Sequence, residues 1–341
     1  MKIKILCTLG PASFRPDVIK GLDERRVDLF RINLSHTAPE ALEEAIASVR
    51  AVSSTPICLD TQGAQVRCGQ IEPDVTLVEG TEVRLSGEPL TGSDQEIPLW
   101  PGSVFEALAP GTIVNLDFDG ASLRITEVEQ GSARATVVSR GRVRTNKAVT
   151  IDPPLELPAL TEQDVAAIRV GAAHGITHYA LSFAANAANV VRIRELAPAG
   201  AHIMSKIESR AGVRNMDEII EVSDSVLVDR GDLSHEVPLE YVPYYQKAIV
   251  RRANRWNRPV YVATNLLESM VTNRQPTVAE ANDIANTLLD GVHGLVLAAE
   301  TAVGRDPVGS VDIVLRAIEA FERTSEGQLL AEDRVFSARS S

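Results

Sequence analysis

Two neighbouring runs decide the fold: Ile203-Met204-Ser205-Lys206-Ile207-Glu208, then Ser225-Val226-Leu227-Val228-Asp229-Arg230-Gly231-Asp232-Leu233. Each is a short apolar run ending on charged residues, as a fully buried parallel strand with a functional end reads. Six further runs are of the same kind: Ile3 to Leu6, Leu29 to Asn33, Ile57 to Leu59, Thr177 to Leu181, Val260 to Ala263 and Leu295 to Leu297. Between them lie helical patterns at Pro39 to Val52, Glu162 to Ala173, Ala187 to Leu196, Tyr241 to Arg255 and Ala279 to Leu289. The last pattern, Pro307 to Arg323, puts Val311, Val314, Leu315, Ile318 and Phe321 on one face. Eight strands alternating with helices predict an α/β fold, a closed (β/α)8 TIM barrel. An open doubly wound sheet is the rival, but no glycine-rich dinucleotide fingerprint supports it.

From about Gln70 the alternation breaks. Short β-like runs at Thr81 to Leu85, Thr112 to Leu116, Leu123 to Val128 and Ala133 to Val138 are separated by Gly, Pro, Asp and Ser, with one helical turn near Ser103 to Leu108. The expected organisation is a barrel from residues 1–69 and 150–326, a β lid domain at 70–149 inserted after strand three, and a flexible tail at 327–341. An insertion there would overhang the C-terminal mouth, where barrel enzymes keep their active sites; a decorative insertion is the plainer alternative.

The 341 residues are long enough for a barrel and one insertion, and aromatics at 4% make the core aliphatic. Against 34 basic residues stand 46 acidic ones, a net charge of −12. That balance argues against a nucleic-acid polymer or an anionic membrane as partner, while leaving room for a small phosphorylated substrate in a local cationic pocket. Cys7, Cys58 and Cys68 have no metal-ligand spacing and read as reduced, buried thiols. No signal peptide and no run of membrane-spanning length is present, so a cytoplasmic location is expected.

In a barrel, polar residues at strand ends converge on one mouth. Arg31, Asn33 and Ser35 follow strand two, and Asp60, Thr61 and Arg67 follow strand three. Lys206 and Glu208 end strand five, Asp229, Arg230 and Asp232 strand six, Thr264 and Asn265 strand seven, Glu300 and Thr301 strand eight. Cations (Arg31, Arg67, Lys206) thus stand beside carboxylates (Glu208, Asp232, Asp60), the composition of a Mg²⁺-assisted phosphoryl-transfer site. Lys206 is one of only six lysines. An idle charge at the end of a buried strand is costly, so it is either catalytic or in a structural salt bridge. Glu208, two residues on, points to the same side while the chain is extended, and with Asp232 it could hold Mg²⁺ or Mn²⁺. Gly231 could present backbone N–H groups to a carboxylate or be a plain turn glycine; Thr264 could donate its hydroxyl or be an ordinary strand end. His36 and His235 sit beside these residues, whereas His174, His178, His202 and His293 receive no role.

With these residues goes a series of longer motifs. They are Cys7-Thr8-Leu9-Gly10-Pro11-Ala12-Ser13, Arg31-Ile32-Asn33-Leu34-Ser35-His36, Leu59-Asp60-Thr61-Gln62-Gly63, Ser205-Lys206-Ile207-Glu208, Asp229-Arg230-Gly231-Asp232-Leu233, Ala263-Thr264-Asn265-Leu266-Leu267-Glu268-Ser269-Met270 and Ala299-Glu300-Thr301-Ala302. In this order the chain resembles the pyruvate kinase family from Ile5 to about Phe321. The resemblance implies a barrel with a mobile β lid that passes a phosphoryl group from phosphoenolpyruvate to ADP and protonates the resulting enolate. It implies that Lys206 stabilises charge on the phosphoryl group and enolate oxygen, that Glu208 and Asp232 bind the divalent metal, and that Asn33, Ser35, Asp60 and the Thr61 carbonyl bind K⁺. Arg31 and Arg67 would hold phosphates, the Gly231 and Asp232 amides would receive the substrate carboxylate, and Thr264 would contact the substrate. Asn33, His36 and Lys147 would lie on the adenine-nucleotide side.

The chain departs from the family at several of these places. Asp-Thr-Lys-Gly-Pro-Glu appears as Asp60-Thr61-Gln62-Gly63-Ala64-Gln65, which bears on K⁺ dependence. Ala-Arg-Gly-Asp-Leu-Gly becomes Asp229-Arg230-Gly231-Asp232-Leu233-Ser234, adding a carboxylate, with His235 next. Leu-Ser-Gly-Glu-Thr-Ala-Lys-Gly becomes Leu297-Ala298-Ala299-Glu300-Thr301-Ala302-Val303-Gly304, losing a serine and a lysine, and an arginine-bearing segment reads Ser182-Phe183-Ala184-Ala185-Asn186. Three functions stay open: a minimal pyruvate kinase, a diverged enzyme for another small 2-oxo or 2-hydroxy acid, and a non-catalytic phosphometabolite-binding protein. The sequence ends about 20 residues after its eighth helix. The expectation is therefore no C-terminal regulatory domain, no activation by a sugar phosphate and at most a homodimer through the barrel.

Overall fold

The computed structural model describes residues 2–117, 120–153, 155 and 157–325, and the expected tail at 327–341 lies outside them. Eight parallel strands close into a barrel: Lys4–Leu9, Leu29–Asn33, Ile57–Asp60, His178–Leu181, His202–Lys206, Ser225–Asp229, Val260–Ala263 and Gly294–Leu297. Each expected strand is present, with ends shifted by at most a few residues. Closure joins the first strand to the last, Lys4 opposite Gly294 and Cys7 opposite Leu297. Alternation along each strand divides the core in two. Leu6, Leu29, Cys58, Ala180, Met204, Leu227, Tyr261, Ala263 and Val296 form a cluster of their own. Their neighbours, such as Ile5, Cys7, Ile32, Leu59 and Ile203, belong to a larger cluster shared with the helices. Both faces are therefore buried, which is why the strands read as continuous apolar runs.

The helices begin where the sequence provides stops and caps. Pro39–Arg50 starts on a proline at its first turn. Glu162–Ala173 and Val278–Leu289 each open with a capping box, Thr161 with Asp164 and Thr277 with Glu280. Pro307–Ser325 is the long final helix. Among the described residues no helix is long and apolar enough to cross a membrane.

A second compact unit runs from Ala64 to Pro158. Seven of its strands, Val66–Cys68, Glu82–Ser86, Glu96–Trp100, Ile113–Leu116, Ser122–Glu129, Ser132–Ser139 and Ala148–Asp152, form a second closed barrel, and Val75–Leu77 pairs separately with Gly141–Val143. The unit is wider than the 70–149 expected from composition. The physical reason is pairing: Val66–Cys68, assigned to the large barrel by position, bonds to Ala148–Asp152 and Glu96–Trp100. Its core is aliphatic, built on Leu85, Ile97, Val114, Leu116 and Leu123. The expected helical turn is the short 3-10 helix Gly102–Glu106.

Candidate active site

Lys206, the last residue of the fifth barrel strand, is 3% exposed and surrounded by acceptors. Its Nζ lies 3.1 Å from Glu208 Oε2 and 3.6 Å from both Asp60 Oδ2 and Asp229 Oδ2. It also donates to Ser182 Oγ at 3.2 Å. Burial works against the ammonium, but Asp60, Glu208 and Asp229 outweigh it and hold its pKa well above the ordinary lysine value. Arg31, from the second strand, donates through Nε and Nη2 to Asp60 Oδ2 at 2.8 and 2.5 Å and through Nη1 to Thr8 Oγ1 at 3.0 Å. Two of the three expected cations thus meet in one buried cluster. Arg67 and Lys147 belong to the second unit, where Arg67 donates to Asn146 O and Gln65 Oε1, and Lys147 O accepts from Cys68 N–H.

Glu208 is fully buried; its Oε1 accepts from Phe183 N–H at 2.8 Å. Its Oε2 faces Lys206 but has no well-directed hydrogen bond. Burial raises the Glu208 pKa well above the carboxylate range, with Lys206 opposing and Asp232, Asp229 and Asp60 adding to the rise. Asp232 is raised likewise, by burial and then by Asp229. Glu208, Asp229 and Asp232 each offer an oxygen within 4.8 Å of one another. An orphaned buried carboxylate oxygen beside two further carboxylates, with Glu208 and Asp232 both penalised for being charged, fits a divalent cation.

Asp229 ends the sixth strand. The turn expected after it is the first turn of a seven-residue helix, Arg230–Glu236. Burial raises its pKa, but Lys206 and Arg31 outweigh that, helped by the Thr264 hydroxyl and the Asp232 N–H, so the group is held below its ordinary value and ionised. Thr264 sits at φ +68 and Asn265 at φ +55, left-handed backbone unusual for a β-branched residue. Arg230 holds this strained turn: Nε and Nη2 donate to Thr264 O at 3.1 and 2.6 Å, and Nη1 reaches Asp283 at 2.7 Å. The Thr264 hydroxyl accepts from Gly231 N–H at 2.7 Å.

The residues expected to bind K⁺ also have partners within the protein. Asn33 Oδ1 accepts from Ser35 N–H at 2.9 Å, Asp60 is bound by Arg31, and the Thr61 carbonyl accepts from Ser182 Oγ at 2.6 Å. Ser35 and His36 are exposed on the turn after the second strand, and His235 is exposed on the helix after the sixth. Glu300 is buried, with Oε2 accepting from Ala298 N–H at 3.0 Å. The sequence reading missed Ser182 and Phe183 as partners of Lys206 and Glu208, and Arg230 as the brace of Thr264. Only their position at strand ends could have signalled them.

A family profile described as pyruvate kinase, barrel domain, matches residues 1–311. A pyruvate kinase from Methylorubrum extorquens is 37% identical over 329 residues, covering 94% of this chain and 69% of its own. One from Geobacillus stearothermophilus is 36% identical over 358 residues, covering 98% and 61%. Among solved structures, a pyruvate kinase from Cryptosporidium parvum superposes with a TM-score of 0.83 at 28% identity, over 93% of this chain and 68% of that one. The chain thus spans roughly two thirds of the length of these relatives.

Proposed function

The chain belongs to the pyruvate kinase family of phosphotransferases, and we propose that it carries out metal-assisted phosphoryl transfer between phosphoenolpyruvate and ADP, giving pyruvate and ATP. The observation that carries this reading is Lys206, buried and charged among Asp60, Glu208 and Asp229. A structural salt bridge needs one carboxylate; three around one ammonium, with a further carboxylate at Asp232, leave negative charge for a divalent ion to balance.

In the reaction the enol oxygen–phosphorus bond breaks, a bond forms from phosphorus to a β-phosphate oxygen of ADP, and the electron pair left on the enol oxygen gives an enolate. Protonation of the enolate at carbon yields pyruvate, so one proton is taken up overall. Lys206 Nζ stabilises the charge that develops on the enolate oxygen and the moving phosphoryl group, and needs little reorganisation because its partners already fix it. Arg31, held by Asp60 and Thr8, and Arg67 on the second unit hold phosphates. Asn33, His36 and Lys147 serve the nucleotide. Thr264 contacts the acid, together with Gly231 and Asp232. Glu208 and Asp232 would hold Mg²⁺ or Mn²⁺, and the ion, when bound, would supply charge neutralisation to the phosphoryl oxygens. K⁺, if used, would meet Asn33, Ser35, Asp60 and Thr61. The three buried free thiols agree with a reducing, cytoplasmic setting.

A second reading, a related enzyme acting on another small 2-oxo or 2-hydroxy acid, is favoured by one observation: the ionised Asp229 carboxylate against Thr264. The test is a coupled pyruvate assay with phosphoenolpyruvate, ADP and Mg²⁺, with and without K⁺, using Lys206→Met as control. Turnover that vanishes in the variant supports the first reading. No turnover of phosphoenolpyruvate, with ATP consumed on a panel of hydroxy acids, replaces it by the second.

A further inference from the structure

The donors around Thr264 are already in use. The Thr264 hydroxyl donates to Asp229 Oδ1 at 3.1 Å or to Ala263 O at 2.6 Å. The Asp232 N–H donates to the same Asp229 carboxylate. The Gly231 N–H is spent on Thr264 Oγ1, and Lys206 Nζ is 3.6 Å from Asp229 Oδ2. A hydroxyl, a backbone amide and an ammonium around the two oxygens of one carboxylate make an anion position. Here a side chain of the protein fills it.

That side chain is fixed. Asp229 is 3% exposed, and the turn it bonds is braced by Arg230, itself bound to Asp283. The charge count points the same way. Asp60, Glu208, Asp229 and Asp232 face Arg31 and Lys206, four carboxylates against two cations. One divalent ion brings this cluster to neutrality, so nothing remains to attract a further carboxylate. Without Asp229 the same cluster and ion would carry one surplus positive charge.

Resting on the metal-assisted phosphoryl-transfer reading above, we propose that Asp229 is a built-in carboxylate that occupies the anion position at Thr264 and determines specificity. The site thereby binds phosphoenolpyruvate, whose carboxylate must displace Asp229 from these donors, less tightly than a phosphorylated enol whose group facing Thr264 is uncharged, such as an amide, ester or hydroxymethyl.

The experiment measures phosphoenolpyruvate binding by calorimetry in the presence of Mn²⁺ for the wild-type chain, Asp229→Ala and Asp229→Asn, with a parallel Mn²⁺ titration by electron paramagnetic resonance. The expected result is at least ten-fold tighter phosphoenolpyruvate binding in Asp229→Ala, with Mn²⁺ affinity within about three-fold of wild type. Asp229→Asn keeps the size and the acceptor but not the charge. It is expected to tighten binding at least three-fold, and decides the matter should the alanine variant fail to fold. Unchanged or weaker binding with Mn²⁺ intact overturns the proposal. So does a ten-fold loss of Mn²⁺ affinity without a gain for phosphoenolpyruvate, which would make Asp229 a metal ligand instead. Failure of the wild-type chain to bind Mn²⁺ removes the underlying reading and the proposal with it, and is told apart by the titration alone.

Discussion

Replacing Lys206 by methionine keeps most of the side-chain volume and removes one charge from a site that is 3% exposed. Asp60, Glu208 and Asp229, now at 3.6, 3.1 and 3.6 Å from the ammonium, would be left to share Arg31. Breaking a buried ion pair by deleting one partner costs about 3–5 kcal/mol. For a barrel unit of this size, about 2–4 °C per kcal/mol, the melting temperature should fall by roughly 6–20 °C. Metal binding should move the other way. The ammonium sits 3.1 Å from the orphaned Glu208 Oε2, where it competes with a divalent cation. Lys206→Met should therefore bind Mn²⁺ at least as tightly as wild type, and Mn²⁺ should raise its melting temperature by more than it raises that of the wild-type chain. Catalysis should drop by ~10³ or more, since the lost group acts where transition-state charge develops. Thermal denaturation by circular dichroism, with and without saturating Mn²⁺, and the coupled pyruvate assay give all three numbers. A metal-free variant as stable as wild type, or one within ten-fold of its activity, refutes the account of Lys206.

Arg230→Lys cannot reproduce the fork onto Thr264 O and Asp283. It should raise KM for the phosphorylated substrate roughly ten- to hundred-fold, the worth of one or two charge-assisted hydrogen bonds, while leaving KM for ADP unchanged; an equal rise in both would mean general loosening. Gly294→Ala puts a Cβ 2.5 Å from Lys4 O and 2.9 Å from the Tyr261 ring, at the seam where the first strand meets the last. Overpacking there should cost about 1–3 kcal/mol in a urea titration, and a neutral result would show the seam to be slack. At the strand starts, burial lowers the pKa of His178, His202 and His293, with Lys4 adding to the effect and Asp224 opposing it at His202. The unfolded chain then binds more protons than the folded one below about 6.5, the ordinary histidine value. Stability should hold above that pH and decline as pH falls through the lower folded values, and His202→Gln should flatten the slope; an unchanged slope excludes the cluster as its cause.

The large barrel was legible because its physics is local. A parallel strand buried on both faces must be apolar at every position, so Ile203–Lys206 and Ser225–Asp229 stand out without knowledge of what they pair with. Lys206 was legible for the complementary reason: a charge ending such a run has to be explained. The second unit was harder. Val66–Cys68 and Gly141–Val143 are three residues long, and Glu96–Trp100 carries Pro98, so neither length nor alternation marks them.

What stayed hidden at the site is long-range. Ser182 reaches Lys206 across 24 positions and Arg230 reaches Asp283 across 53, and no periodicity encodes such pairs. Asp229 lies between the two cases. Its identity was visible as an added carboxylate, but a carboxylate beside Glu208 and Asp232 could as well ligate metal as mimic a substrate. Lys206 faces both Glu208 and Asp229, so the ammonium does not separate these roles. The hydrogen bonds do: Glu208 Oε2 accepts no well-directed one and is open to a cation, whereas the Asp229 carboxylate accepts from the Thr264 hydroxyl and the Asp232 amide, donors suited to an anion.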